Sequence, residues 1–359
     1  MMRVIDYMKS IKRILAAFLA LCCLSMAACG KEGNGTKVIF TTGFGKDEVF
    51  RIAGESCKLN ELMVYLTTIQ NQYEQVYGEP IWDVTLDGMT LEDNVKETVL
   101  ARIAQIKTMY LLAEEKGVTL EEAEEKKAAQ AAEEYYATLN ETEIEKMGVT
   151  QSTIETLYRE NALADKVYRY IIQDVNPEIS DDEARTITIQ HILVRTYSLD
   201  AAGNRIPYTE SMKQAAYDKI SQVRELAASG EHEFTELAAK YSEDANVTYS
   251  FGKGEMEEAF ETAAFNLETD EISTVVESES GYHIIKCINT FDREETDANK
   301  LKLIEQRRKE AFGREYDEFV STLARNLNQK LWEDVTLIHD GAVDTADFFA
   351  VYDKYFAEE

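Results

Sequence analysis

Apolar residues in the first third of the chain recur at the spacing of a helix rather than a strand. Leu62, Tyr65, Leu66 and Ile69 fall on one face, and Val95, Val99, Leu100, Ile103, Ile106 and Leu111 repeat the pattern between Leu91 and Gly117. Both stripes predict helices that face a core. A short strand, "EVFRIAG", precedes them. Thr119 in "TLEE" and Ser180 in "SDDE" have the form of capping boxes, in which a hydroxyl and a glutamate three residues on satisfy free backbone N–H groups at a helix start. The intervening "EKKAAQAAEEYYATL" is charged on one side and alanine-rich on the other, and reads as a solvated helical arm. Pro177 ends the region, because a proline pushes the residue before it out of helical geometry.

From about Thr186 to Asp292 the pattern changes to strand, helix, helix, helix, strand. Side chains alternate along a strand, so His191 in "ITIQHILV" shares its face with Ile187, Ile189 and Leu193. In "GYHIIKCI", His283 likewise shares a face with Ile285 and Cys287. Two of the chain's four histidines therefore point into one core. Further on, Leu301, Ile304, Phe312, Tyr316, Phe319, Leu323, Leu327 and Leu331 lie near one stripe of a helix of about eight turns. Such a helix does not bury its apolar face alone, and is expected to pack back on the first helical region, with "DVTLIH" pairing with the early strand. The architecture is α+β, a mainly helical discontinuous domain with a second domain inserted.

Composition adds a location. Hydrophobic residues make up 45% of the 359, enough for real cores, and a formal charge of -29 argues against nucleic acid as a partner. Arg3, Lys9, Lys12 and Arg13 precede "ILAAFLALCCLSM", a run too short to span a bilayer comfortably and matching a secretory signal. The segment ends "MAACG", which resembles a bacterial lipoprotein box, with Cys29 as the lipidated first residue of the mature chain. Loss of four basic residues and Asp6 would take the charge to about -32. A diacylated cysteine carries two buried chains, as stable anchoring requires. Cys57 and Cys287 make no disulfide framework and read as buried small hydrophobes. His232 and His339 read as solvated.

Three kinds of chemistry could use the inward histidines. A metal site needs at least three ligands at suitable spacing, and there is no HExxH or His/Cys cluster. A nucleophile and base would need a serine or cysteine on a strained turn, and GxSxG is absent. What remains is a hydrogen-bonded pair that is neither nucleophile nor metal ligand.

"IQHILV", "FTELAAKYSED", "FGKGEMEEAFETAAFNL" and "SESGYHIIK" occur in this order, and together they resemble the parvulin-type peptidyl-prolyl cis/trans isomerase domain over roughly residues 185–292. With the signal, the lipobox and the flanking helices, the whole resembles the PrsA/SurA type of extracytoplasmic foldase. The resemblance implies a four-stranded antiparallel sheet wrapped by helices. It implies paired histidines at His191 and His283, Asp244 facing the substrate peptide bond, and hydroxyls at Ser278 and Ser280 in the same network. Met256, Phe260 and Phe251 would hold the proline ring. The activity needs no cofactor and no metal, and no covalent intermediate is expected.

The resemblance also sets the expected organisation: signal peptide 1–28, linker 29–47, helical chaperone domain 48–184, parvulin-like domain 185–292, and a C-terminal helix and tail, 293–359, returning to the helical domain. Partners would be unfolded or partly folded exported proteins and, through Cys29, a bacterial membrane; a homodimer is left open. One departure stands out. Between Asp244 and Phe251 the chain has only "ANVTYS", where the family carries a longer loop with a Gly-Gly-Asp-Leu-Gly-like run. Arg195 and Arg205 follow the first strand without a basic cluster, so phosphorylated substrates are not expected. The alternatives are a holdase chaperone whose parvulin domain has lost catalysis and, more remotely, a solute-binding lipoprotein.

Overall fold

Backbone hydrogen bonding and apolar periodicity resolve the chain into twelve α-helices and eleven strands in a computed structural model that describes residues 43–86, 88–176 and 178–357. The signal segment, Cys29 and Pro177 lie outside the described residues. Strands β1 (Glu48–Ile52) and β2 (Glu55–Lys58) precede α1 (Leu59–Tyr77), and the hairpin β3 (Thr85–Leu86) and β4 (Met89–Thr90) precedes α2 (Leu91–Lys116). Next come α3 (Glu122–Thr138), α4 (Glu141–Met147), α5 (Gln151–Ile172) and α6 (Asp181–Ala184). The middle of the chain holds β5 (Ile187–Arg195), β6 (Tyr197–Leu199), β7 (Arg205–Pro207), α7 (Glu210–Ser229) and α8 (Phe234–Tyr241). It continues through β8 (Thr248–Phe251), α9 (Glu258–Phe265), β9 (Val276–Ser278) and β10 (Gly281–Asn289). The chain closes with α10 (Arg293–Thr322), β11 (Arg325–Leu327), α11 (Gln329–Glu333) and α12 (Phe348–Phe356).

Contacts divide the chain into two units, residues up to Leu59 with Ala324–Thr336, and Asn60–Leu323 with Leu337–Glu359. In the smaller unit β11, β1 and β2 form an antiparallel sheet in that order, with Phe50 opposite both Leu327 and Cys57. The early strand therefore pairs with Arg325–Leu327 and not with "DVTLIH", which forms no strand. The helical stripe drawn through Leu331 is also broken. Helix α10 stops at Thr322, Leu323 turns extended, and Asn328 caps the separate α11 by accepting from the Leu331 N–H. Asparagines at 326 and 328 are weak helix formers, and the ladder to β1 satisfies the backbone groups that the helix releases.

In the larger unit the predicted stripes are buried: Leu62, Tyr65 and Leu66 on α1, and Val95, Val99 and Ile103 on α2. The returning α10 places Phe319, Phe312 and Tyr316 against Met109, Leu112 and Val167 of α2 and α5. Helix α3 is not a solvated arm. Its Ala128, Ala131, Ala132 and Tyr135 are fully buried, and the small alanines let α5 and α12 approach closely. The Tyr135 ring meets Phe348 of α12 edge-on at 5.5 Å. The cap of α3 sits at Glu121, reciprocal with Glu124, two residues beyond Thr119; Ser180 does cap α6, accepting from the Glu183 N–H. At the centre of α1, α2 and α5, buried Lys107 donates to Glu61 at 3.0 Å and to Glu160 at 2.6 Å. Burial alone would push this ammonium toward neutrality, but Glu160 and Glu61 hold its pKa above the ordinary lysine value.

The middle domain is a four-stranded antiparallel sheet in the order β8-β5-β10-β9, two strands more than the alternation predicted without the resemblance. Strand β5 is buried on both faces. Ile192 and Val194 join Ile284 and the apolar faces of α7 and α8, while Ile187 and Ile189 join Ile285, Cys287, Phe251 and Phe260 of α9. Each fully buried isoleucine contributes about 1.5–3 kcal/mol, so the faces fix the register strongly. Gly281 opens β10 at φ 138°, and a Cβ there would lie 2.3 Å from the Val194 carbonyl oxygen and 2.8 Å from the Arg195 Cα. Gly281→Ala is therefore expected to cost about 2–4 kcal/mol in urea denaturation, through strain and displacement of β5. A loss under about 0.5 kcal/mol, the range of an inert surface change, would contradict this account of the pairing.

Candidate active site

The site is set by register. On β5 and β10, Ile285 stands opposite His191 and Leu193 opposite His283, so the two histidines are diagonal neighbours on one face. Their rings are 5.4 Å apart and 17° from parallel, with the two Nδ1 atoms at 3.2 Å. Both are buried, at 3% and 5% exposure. His191 Nε2 lies 3.2 Å from the Asn246 carbonyl oxygen and 3.3 Å from Asp244 Oδ2. Both neighbours are acceptors, so this nitrogen carries the proton and His191 Nδ1 accepts. His283 Nδ1 must then donate, and its Nε2, 2.7 Å from Ser278 Oγ, accepts from the hydroxyl. The result is a directional relay, Ser278 to His283 to His191 to the Asn246 carbonyl and Asp244, in which both imidazoles are neutral.

The electrostatics agree with that assignment. Burial and the neighbouring His191 push His283 down to about 4. Burial also lowers His191, against the Asn246 carbonyl and Asp244, which favour its charged form. A histidine whose folded pKa is depressed stabilises the fold fully above its unfolded value, near 6.5, and loses that contribution as pH falls toward 4. Between pH 7 and 5 the wild type should lose about 2 kcal/mol more stability than His283→Gln, read from urea midpoints. Parallel losses in the two proteins would mean that His283 is charged in the folded state.

Around the relay stands an aromatic wall. The Phe260 ring meets His191 at 5.5 Å and His283 at 5.0 Å, both edge-on, and Phe251 lies 6.1 Å from Phe260. Met256 is half-buried against the same cluster. It lies two residues before α9, in the turn that leads into the helix. Glu261 holds that turn by accepting from the N–H groups of Gly254 and Met256. Ser280 joins the network through its backbone N–H, which donates to Ser278 Oγ at 3.0 Å, rather than through its hydroxyl.

Several members were not foreseen in the sequence. Asn246 supplies the terminal carbonyl, Tyr249 reaches Asp244, and the Glu257 carboxylate clasps the turn after β9 through the Glu279 N–H. Once β8 is known to be a strand, two-residue alternation in "TYSF" places Tyr249 on the face of Phe251. Arg195 and Arg205 both stack over Tyr197, at 5.8 and 4.5 Å. Cys57 and Cys287 are buried and form no disulfide, and His232 and His339 are exposed. Among the described residues no cluster of histidine, cysteine or carboxylate side chains could hold a metal ion, and no helix is long and apolar enough to cross a membrane.

Two stacked, hydrogen-bonded histidines beside an aromatic cluster stand on a four-stranded antiparallel sheet, and residues 191–289 match the family described as the PPIC-type PPIase domain, or rotamase, that of the parvulin-type peptidyl-prolyl cis/trans isomerases. This chain's middle domain belongs to that family. Over 317 residues the chain is 26% identical to the foldase protein PrsA of Caldanaerobacter subterraneus subsp. tengcongensis, covering 86% of this chain and 94% of the relative. It is 35% identical over 79 residues to the peptidyl-prolyl cis-trans isomerase Pin1 of Arabidopsis thaliana, covering 21% of this chain and 66% of that protein. The crystal structure of a PrsA peptidylprolyl isomerase from Bacillus cereus aligns with 75% of this chain and 97% of its own, at 21% identity and a TM-score of 0.35.

Proposed function

We propose that the chain is a lipid-anchored extracytoplasmic foldase that isomerises X–Pro bonds in exported proteins and also shields unfolded chains. The observation that carries this reading is the neutral relay of Ser278, His283 and His191 under the pocket of Met256, Phe260 and Phe251. Peptide resonance sets a rotation barrier of roughly 18–20 kcal/mol, and an X–Pro bond turns over in tens to hundreds of seconds unaided. Gripping the proline ring while the preceding carbonyl swings favours the twisted state over either planar one. The relay holds both imidazoles in fixed tautomers, and Asp244 sets the local field where the carbonyl dipole reorients. A reduction of roughly 4 kcal/mol would accelerate the bond about a thousandfold with no covalent intermediate.

Two relatives named as foldases match over 86% and 89% of this chain, which supports extending the reading beyond the isomerase domain. Residues 1–28 then serve as the export signal, Cys29 as the lipidated anchor and 29–47 as the linker. The helical domain, 48–184 with the returning 293–359, cradles clients, and 185–292 isomerises them. A holdase with a weak isomerase domain is the second reading, favoured by the short turn from Asp244 to Val247. The full chain is expected to incorporate labelled palmitate, to lose the label on Cys29→Ala, and to accelerate refolding of a secreted protein limited by proline isomerisation. Suppressed aggregation without faster refolding would favour the holdase, and labelling that survives Cys29→Ala would remove the anchor.

A further inference from the structure

The short connection between Asp244 and β8 changes what stands beside the histidines. Strand β8 begins four residues after Asp244, and its pairing with β5 sets Phe251 opposite Ile187 and Tyr249 opposite Ile189. The Tyr249 ring stands edge-on to His191 at 5.3 Å and 75°. Its hydroxyl donates to Asp244 Oδ2 at 3.1 Å, the same oxygen that lies 3.3 Å from His191 Nε2. The other carboxylate oxygen, Oδ1, accepts from the Asn246 N–H at 3.3 Å.

We propose that Tyr249 is a positioning residue for the isomerase reaction, pinning the Asp244 carboxylate beside His191 in place of the longer loop that this chain lacks; this rests on the function proposed above. The Asp244 side chain is 29% exposed. Without a tether, a carboxylate with that access to water turns toward solvent, and its field at the histidine is lost to screening. A tyrosine hydroxyl suits the task because its proton is firmly held. Burial and the Asp244 charge both raise its pKa, so it remains a donor throughout the working range. The titratable groups facing His191 are His283 from β10, Asp244 from the turn after α8 and Tyr249 from β8; Phe260 from α9 adds an uncharged edge. Glu243, the next carboxylate along, is engaged by Lys219.

Tyr249→Phe removes the hydroxyl and keeps the ring, which separates pinning from packing. In the full chain it should lower kcat for a neutral X–Pro tetrapeptide about three- to tenfold, the scale of one ordinary intramolecular hydrogen bond at a partly exposed site. In an Asp244→Ala background it should add no further loss, because nothing remains to pin. Nuclear magnetic resonance of ring-labelled histidine provides a readout that packing alone would not move. The His191 titration should shift to lower pH by roughly half a unit, as the imidazolium loses its anionic neighbour. Equal losses in both backgrounds, or an unmoved His191 titration, would overturn the assignment. The titration needs no turnover, so a chain that isomerises no peptide would defeat the proposed function while leaving the pinning separately judged.

Discussion

His283→Ala is expected to lower kcat/KM for an X–Pro tetrapeptide by about ten- to hundredfold, with most of the loss in kcat. The imidazole is the middle of the relay: it donates to His191 through Nδ1 and accepts from Ser278 through Nε2. Its removal leaves His191 Nδ1 without its donor at a site only 3% exposed, where an unmade hydrogen bond is costly. It also opens space beside Phe260, whose ring meets His283 at 5.0 Å, so the aromatic cluster loses a packing partner. Ser278→Ala should cost less, because the hydroxyl sits at the half-exposed end of the relay, where water can replace it. Circular dichroism and the urea midpoint separate a folded, slow variant from an unfolded one. A folded His283→Ala protein with wild-type kcat/KM would remove the relay from the mechanism.

Lys107→Met is expected to destabilise the helical domain by about 3–5 kcal/mol in urea denaturation, one of the largest single-residue effects in the chain. The ammonium is 1% exposed and serves carboxylates from two other helices, Glu61 of α1 and Glu160 of α5, themselves 7% and 3% exposed. Methionine fills similar volume, so the cost comes from leaving two carboxylates buried without their shared cation. Most of the loss should return in a Lys107→Met, Glu61→Gln, Glu160→Gln protein, where the repulsion is gone. A Lys107→Met chain within about 1 kcal/mol of wild type would mean that the triad contributes little.

Long, locally periodic elements were legible in the sequence. Helices α1 and α2 carry their stripes through several turns, and the nine-residue strands β5 and β10 alternate clearly enough to turn both histidines inward. Short strands were not. Strands β8 and β9 have four and three residues and owe their extended form to partners distant in sequence, so no local pattern announces them. The end of α10 was hidden because Leu327 and Leu331 happen to continue its apolar stripe, while the ladder from β11 to β1 depends on a strand about 275 residues away. The alanine face of α3 looked solvated because its partner is Phe348 in the far C-terminal segment "FFAVYDKYF". In the site itself, alternation along β5 and β10 made the inward direction of both histidines legible, but the Asn246 carbonyl is a backbone group and no side-chain motif reveals it.

The most direct test is cis/trans exchange of a proline tetrapeptide followed by magnetic resonance, without a coupling protease, in the presence of the full chain and of Met256→Ala. Exchange should be accelerated by at least about a hundredfold over the uncatalysed rate at saturating enzyme, and should fall substantially when the Met256 side chain is truncated. A well-folded wild-type chain that leaves the exchange rate unchanged would contradict the proposed function.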